Sequence, residues 1–158
     1  MRSWVNNPRI VDTLSDIFLY PHSEKNTREF LELATSSDWK GFVIAHIDTE
    51  EYIGQIGFVK LDEKNGWGEL GIVIGKEENH GKGYGTEALK LICDFAFEQL
   101  RLNRVELVCW SFNAKGRRVY EKVGFVQEGV RRKKRYRGGE FYDEICYGLL
   151  KEEWEALQ

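Results

Sequence analysis

The chain lacks most features that would mark a specialised architecture. Its 158 residues include three cysteines, three histidines and two prolines. Cys93, Cys109 and Cys146 are odd in number, far apart and without a C-x-x-C pair, which excludes a disulfide framework. Each lies in an apolar stretch, as a buried free thiol does. His22, His46 and His80 do not cluster with them, so no metal site is expected. No apolar run approaches the ~20 residues of a membrane helix. The N-terminus has no apolar signal-peptide core. A cytoplasmic protein without membrane contact is therefore the expectation. Charge of either sign is not in large excess: 23 Lys and Arg against 26 Asp and Glu give −3. No global field draws nucleic acid, which is not expected as a partner.

What is present reads as one globular domain over 1–158, with 42% hydrophobic and 31% charged residues. Both prolines, Pro8 and Pro21, precede the first glycine, Gly41, so the opening segment reads as short helices. Asn26-Thr27-Arg28-Glu29 has capping-box form, and Phe30, Leu31, Leu33 and Ala34 supply an apolar face. From Gly41 the apolar period changes to two. Strands are expected over Gly41 to Ile47, Tyr52 to Leu61 and Trp67 to Gly75, with an Asn65-Gly66 turn before the last. Ala88, Leu89, Ile92, Phe95, Ala96 and Leu100 then form a helical stripe. A strand over Arg104 to Trp110 and a helix over Asn113 to Val123, stopped by Gly124, follow. A hairpin of Phe125 to Tyr136 and Glu140 to Leu149 closes the chain around Arg137-Gly138-Gly139. The order α, βββ, α, β, α, ββ makes an α+β fold with a mixed, mostly antiparallel twisted sheet flanked by helices.

The most informative stretch is Asn79-His80-Gly81-Lys82-Gly83-Tyr84-Gly85-Thr86, which follows a strand and opens a helix. Alternate glycines let the backbone approach a ligand and turn its N–H groups toward one point. The helix dipole favours an anion there, and a pyrophosphate suits it. A Walker A loop is excluded, because Gly75 lies six positions before Gly81 and Lys82 is followed by Gly83. The dinucleotide fingerprint fails where Thr86 replaces its last glycine. A tight strand-to-helix connection without a ligand is the alternative reading.

On these residues the chain resembles the GNAT superfamily of N-acetyltransferases. His80-Gly81-Lys82-Gly83-Tyr84-Gly85 matches its signature Arg/Gln-x-x-Gly-x-Gly/Ala except at the first position, where the His80 backbone N–H is still expected to serve. Asn113-Ala114-Lys115-Gly116-Arg117-Arg118-Val119-Tyr120-Glu121-Lys122-Val123-Gly124-Phe125 resembles the second, N-x-x-A-x-x-x-Y-x-x-x-G-F, with Gly116 for alanine. The likeness covers Gly41 to Leu149, and Tyr147 to Trp154 is similar to the branch of ribosomal-protein and spermidine acetyltransferases. The family usually begins with a strand before its first helix, whereas here Trp4-Val5-Asn6-Asn7-Pro8 already resembles that helix; the expectation is either a truncated start or Gly41 to Ile47 left as an edge open to a second chain.

The resemblance implies acetyl-CoA as co-substrate, a primary amine as acceptor (protein N-terminus, polyamine or other small amine), direct attack and no metal. It implies that Tyr120 is the general acid for the departing sulfur and that Glu69 is the base, acting through water. The backbone of Ile72, Val73 and Ile74 takes the pantetheine arm, and His80, Gly81, Lys82, Gly83, Tyr84, Gly85 and Thr86 the pyrophosphate. Asn113 and Tyr120 join the arm's site, while Lys122, with Lys82 and Lys115, can serve phosphates. Tyr120 can equally be a core aromatic on the face of Gly116, Val119 and Val123. Arg131, Arg132, Lys133, Lys134, Arg135 and Arg137 form a basic run expected to alternate between both faces of the hairpin, as a solvated edge or as a surface for an anionic partner. A coenzyme A-binding or nucleic-acid-associated module without turnover is the competing function.

Overall fold

The computed structural model describes residues 5–14, 21–36 and 39–158. Its elements are α1 (Pro8–Val11), α2 (Glu24–Ala34), β1 (Gly41–Ala45), β2 (Tyr52–Asp62), β3 (Trp67–Ile74), α3 (Tyr84–Asp94), β4 (Arg104–Trp110), α4 (Ala114–Val123), β5 (Val126–Arg137), β6 (Glu140–Leu150) and α5 (Lys151–Glu155). The strands form one sheet in the order β1-β2-β3-β4-β6-β5. The mixed α+β architecture is the one expected. Two compact units divide the chain, Met1–Gly57 with Ile72–Gly85 and Phe58–Gly71 with Thr86–Gln158.

In the first unit, Val5, Ile10 and Val73 form a buried cluster, with Leu14 and Tyr52 packed against it. Of the segment expected as the first helix, Trp4 lies outside the described residues, and the helix observed is α1, beginning at Pro8. Helix α2 begins earlier than its sequence signal. Ser23 is the N-cap, its hydroxyl accepting from the Asn26 N–H at 3.1 Å while the Asn26 side chain accepts from the Ser23 N–H at 3.0 Å. The capping box is thus Ser23–Asn26, not Asn26–Glu29. The expected apolar face also changes: Leu31 and Leu33 are 50% and 47% exposed, and Thr27 is the buried residue. Residues two apart on a helix point to different sides, so Leu31 and Leu33 cannot share one face. Strand β1 stops at Ala45, two residues short of Ile47. A bulge interrupts its register there, and the Glu51 and His46 carbonyls accept from the His46 and Glu50 N–H groups in a turn.

The second unit holds a two-faced sheet. Val105, Leu107 and Cys109 of β4 are buried and lie level with Leu149, Tyr147 and Ile145 of β6, also buried. The alternate residues Arg104, Glu106, Val108 and Trp110 face the other way, level with Leu150, Gly148, Cys146 and Glu144. Helix α3 buries Ala88, Leu89, Ile92 and Cys93, then loosens into a π turn over Phe95–Gln99 where a regular stripe was expected. The Trp154 indole of α5 donates to Asp94 at 3.0 Å. Gly138 and Gly139, at φ 59° and 91°, make the two-residue loop joining β5 to β6.

Candidate active site

The residues singled out by sequence fall in both units. In the first, β3 ends at Ile74 and a 3₁₀ turn over Glu77–Asn79 leads into the glycine stretch. Gly81 and Gly83 have φ of 75° and 94°, the left-handed region that favours glycine. A Cβ at either would meet nothing within 4 Å, so backbone conformation selects glycine here and the space beside it is open. The N–H groups of Gly81, Lys82 and Gly83 have no backbone partner among the described residues. Those of Tyr84 onward, in the first turn of α3, have none within the helix. Consecutive donors without a backbone partner therefore stand at a helix start, the arrangement that suits an anion.

His80 departs from expectation. Its N–H donates to the Glu77 carbonyl at 3.0 Å, closing the 3₁₀ turn, and is not available to a ligand. Its ring contributes instead: Nε2 lies 3.1 Å from the Ile74 carbonyl oxygen, which can only accept, so Nε2 carries the proton. The imidazole thereby ties the start of the loop to the end of β3. The Tyr84 ring stands edge-on to His46, with centroids 5.3 Å apart.

In the second unit, Tyr120 of α4 stacks near Tyr147 and Phe125, at 5.9 and 6.4 Å between centroids. The residue is only partly buried, but burial of its hydroxyl pushes the phenol well above its usual range, and charge on Cys109 or Tyr147 would act in the same sense. It is protonated throughout the neutral range. Sequence reasoning gave no role to the network beside it: the Tyr147 hydroxyl donates to Glu121 at 2.9 Å and accepts from Arg117 at 3.1 Å. The i, i+4 spacing of Arg117 and Glu121 on α4 was the available signal.

Asn113 caps α4, its side-chain oxygen accepting from the Gly116 N–H at 3.0 Å. A Cβ on Gly116 would stand 2.7 Å from Asn113 Nδ2, so glycine in place of the motif's alanine accommodates this folded-over side chain. The cap leaves Nδ2 as a donor. Lys82, Lys115 and Lys122 are exposed.

Glu69 pairs with Lys60, whose Nζ donates to Oε2 at 2.8 Å, and that bond raises the lysine's pKa. Glu69 lies level with Glu106, on the face opposite Tyr147. Tyr120 packs on the Tyr147 side. The two catalytic candidates thus stand on opposite faces of the sheet. The parallel ladder of β3 with β4 has three pairs, Trp67↔Arg104 to Glu69↔Glu106, although both strands run on.

The basic run does not alternate as expected. A bulge between Arg131 and Arg135 inserts extra residues, with Lys133 at φ 52°. Arg131 and Lys134 consequently reach the same carboxylate, that of buried Glu144. Burial alone would raise the pKa of Glu144, but bonds from Lys134 and Arg131 outweigh it and the net direction is down. Arg135 lies over the Trp110 ring and Arg137 over Phe112. Among the described residues no cluster of His, Cys, Asp and Glu could hold a metal, and no helix is long and apolar enough to cross a membrane.

Comparison with known proteins defines the class. Residues 1–126 match the acetyltransferase (GNAT) domain. The SPbeta prophage-derived uncharacterized N-acetyltransferase YokL of Bacillus subtilis is 33% identical over 153 residues, 92% of this chain and 85% of YokL. The chain belongs to the GNAT acetyltransferase family and is an acetyl-transferring enzyme. YdaF of Bacillus subtilis, named as a candidate ribosomal N-acetyltransferase, is 42% identical over 103 residues, 65% of this chain and 56% of YdaF. Among solved structures, a GNAT acetyltransferase from Bacillus anthracis superposes with TM-score 0.81 at 26% identity, covering 96% of this chain and 87% of its own. Spermidine N-acetyltransferase from Vibrio cholerae, in complex with CoA and spermine, shares the fold with TM-score 0.82 at 21% identity, over 97% of this chain and 89% of that one.

Proposed function

We propose that the protein is a cytoplasmic N-acetyltransferase that moves an acetyl group from acetyl-CoA to a primary amine by direct attack. The observation that carries this reading is the run of N–H groups from Gly81 into the first turn of α3 that have no backbone partner among the described residues, beside two left-handed glycines. Those donors fit the coenzyme's diphosphate, and Lys82 among them can add charge. The backbone of Ile72, Val73 and Ile74, past the last β3–β4 pair, suits a pantetheine arm laid along the strand. The CoA complex of the Vibrio cholerae protein, which has the same fold, supports this choice. The family match runs through both units and supports one domain.

The thioester supplies the activated acetyl group; the protein must manage two protons. A lysine-like amine with pKa ~10.4 is neutral in about one molecule in 2,500 at pH 7, an obstacle of roughly 4.6 kcal/mol. Glu69, with Oε2 held by Lys60, offers Oε1 to a water that takes the amine's proton. Tyr120, protonated at neutral pH and on the opposite face, gives a proton to the departing sulfur.

Calorimetric titration with acetyl-CoA, followed by an amine panel with detection of free thiol, tests the reading. Heat of binding and thiol release that depends on the amine are expected; binding without release would favour the non-catalytic module. The outer strand β1, with Phe42 and Val43 exposed, supports a homodimer. Sedimentation showing a monomer at all concentrations refutes that assembly.

A further inference from the structure

We infer that the acceptor is an acidic polypeptide and not a polyamine, an inference that rests on the transferase reading above. The sheet face of the second unit that carries Glu69 has its carboxylates already satisfied. Glu69 is held by Lys60 at 2.8 Å, Glu106 by Arg104 at 3.0 Å, and Glu128 by Arg104 at 2.6 Å. Glu144 accepts from Lys134 at 2.7 Å and from Arg131 as well. A Cβ on Gly148 would stand 2.5 Å from Glu128, so the Arg104–Glu128 clamp lies flat on the strand it crosses. Binding of a polycation needs carboxylates that lack a counter-charge, and here each has one built in. Aromatic faces, the other seat for an ammonium, are covered in the same region: guanidinium carbons of Arg135 and Arg137 sit 4.8 and 4.5 Å above Trp110 and Phe112.

The surplus charge is positive. Arg132 and Lys133 stand exposed on the bulge of edge strand β5, where the Lys133 N–H donates to the Asp143 carboxylate at 2.8 Å while neither cationic head enters an ion pair among the described residues. Arg131, the neighbour of Arg132, pairs with Glu144 on the sheet face that carries Glu69, so the basic run borders the face of the proposed base. An anionic body carrying the amine is the complementary partner. A polypeptide supplies both the alkyl amine that direct attack needs, which nucleic acid lacks, and an anionic body long enough to reach from the base to the exposed cations of β5. The bulges and cations of β5 also discourage strand addition, so recognition runs through side chains.

The test uses the full chain, acetyl-CoA and three acceptors: an N-terminal peptide continued by Asp and Glu, the same N-terminus continued by Lys and Arg, and spermidine. The acidic peptide should show kcat/KM at least about tenfold above the others at low salt, converging as ionic strength rises toward ~0.5 M. Arg132→Glu with Lys133→Glu should raise KM for the acidic peptide about tenfold, with kcat, coenzyme affinity and melting temperature unchanged. Equal or better turnover of spermidine or the basic peptide overturns the inference, as does a preference indifferent to salt or to the double substitution. Thiol release with no acceptor overturns the transfer reading and this inference with it.

Discussion

Replacing Arg131 and Lys134 together by methionine isolates the energetics of the buried Glu144. The carboxylate is 4% exposed, and its two cations keep its pKa below the ordinary range against the opposing effect of burial. In the native protein a depressed carboxylate contributes stability that is present above its unfolded pKa of ~4.3 and is lost as pH falls through the folded value. Without the cations, burial acts unopposed and the folded pKa rises above the unfolded one. The sign then reverses: burying the charge costs most at neutral pH, and the cost fades as acid neutralises the group. Breaking a buried pair by removing its partner costs about 3 to 5 kcal/mol. Arg131 and Lys134 are themselves half exposed, so a figure near 3 kcal/mol is expected at pH 7. For a chain of this size that is a melting temperature lower by roughly 6 to 12 °C.

The assay is urea unfolding of native and doubly substituted protein at pH 7 and at pH 4. The stability difference should shrink below about 1 kcal/mol at the acid pH. Methionine preserves most of the side-chain stem, so packing loss contributes little of the difference. A penalty of the same size at both pH values would refute the reasoning, because it would then come from packing and not from the charge.

Tyr120→Phe should lower kcat about 100-fold or more while the calorimetric affinity for acetyl-CoA stays within about twofold; unchanged turnover returns Tyr120 to the role of a core aromatic. Gly83→Ala should weaken coenzyme binding about tenfold, since a side chain at φ 94° costs on the order of 1 to 2 kcal/mol in backbone strain alone; a titration curve like that of the native protein would show that the loop conformation does not matter. Cys93 and Cys109, whose pKa values are pushed up to about 12 by burial, should resist a thiol reagent at pH 8, leaving half-buried Cys146 as the site of any native-state reaction. Mass spectrometry after labelling, with three modified thiols in denaturant as the reference, counts them.

Local chemistry accounts for what the sequence made legible. The ends of β4, the glycine stop of α4 and the Gly138-Gly139 loop agree with their signals because each depends on residues within one turn or one strand. The glycine stretch was readable for the same reason: left-handed backbone can be required of a glycine without knowing what surrounds it. Signals with two competing local partners misled. Asn26 and Ser23 both qualify as caps, and only the geometry after Pro21 selects Ser23. His80 offered an N–H by sequence, but the turn from Glu77 claims it and gives the ring a carbonyl to hold.

Glu144 shows why the acceptor side was the least legible part. Nothing near it in sequence marks it as buried, and a strictly alternating β5 would have sent Arg131 and Lys134 to opposite faces. The bulge at Lys133 places both over one carboxylate, and a buried anion is tolerable because of it. Irregular backbone thus decides which charges on this face are consumed internally and which remain for a partner. In the proposed function the coenzyme side rests on backbone N–H groups that any sequence with the right glycines can supply. In the acceptor inference, selectivity for the amine rests on side-chain charges whose direction a single bulge can reverse. Related chains with one coenzyme turn can therefore diverge in acceptor through changes confined to the last hairpin.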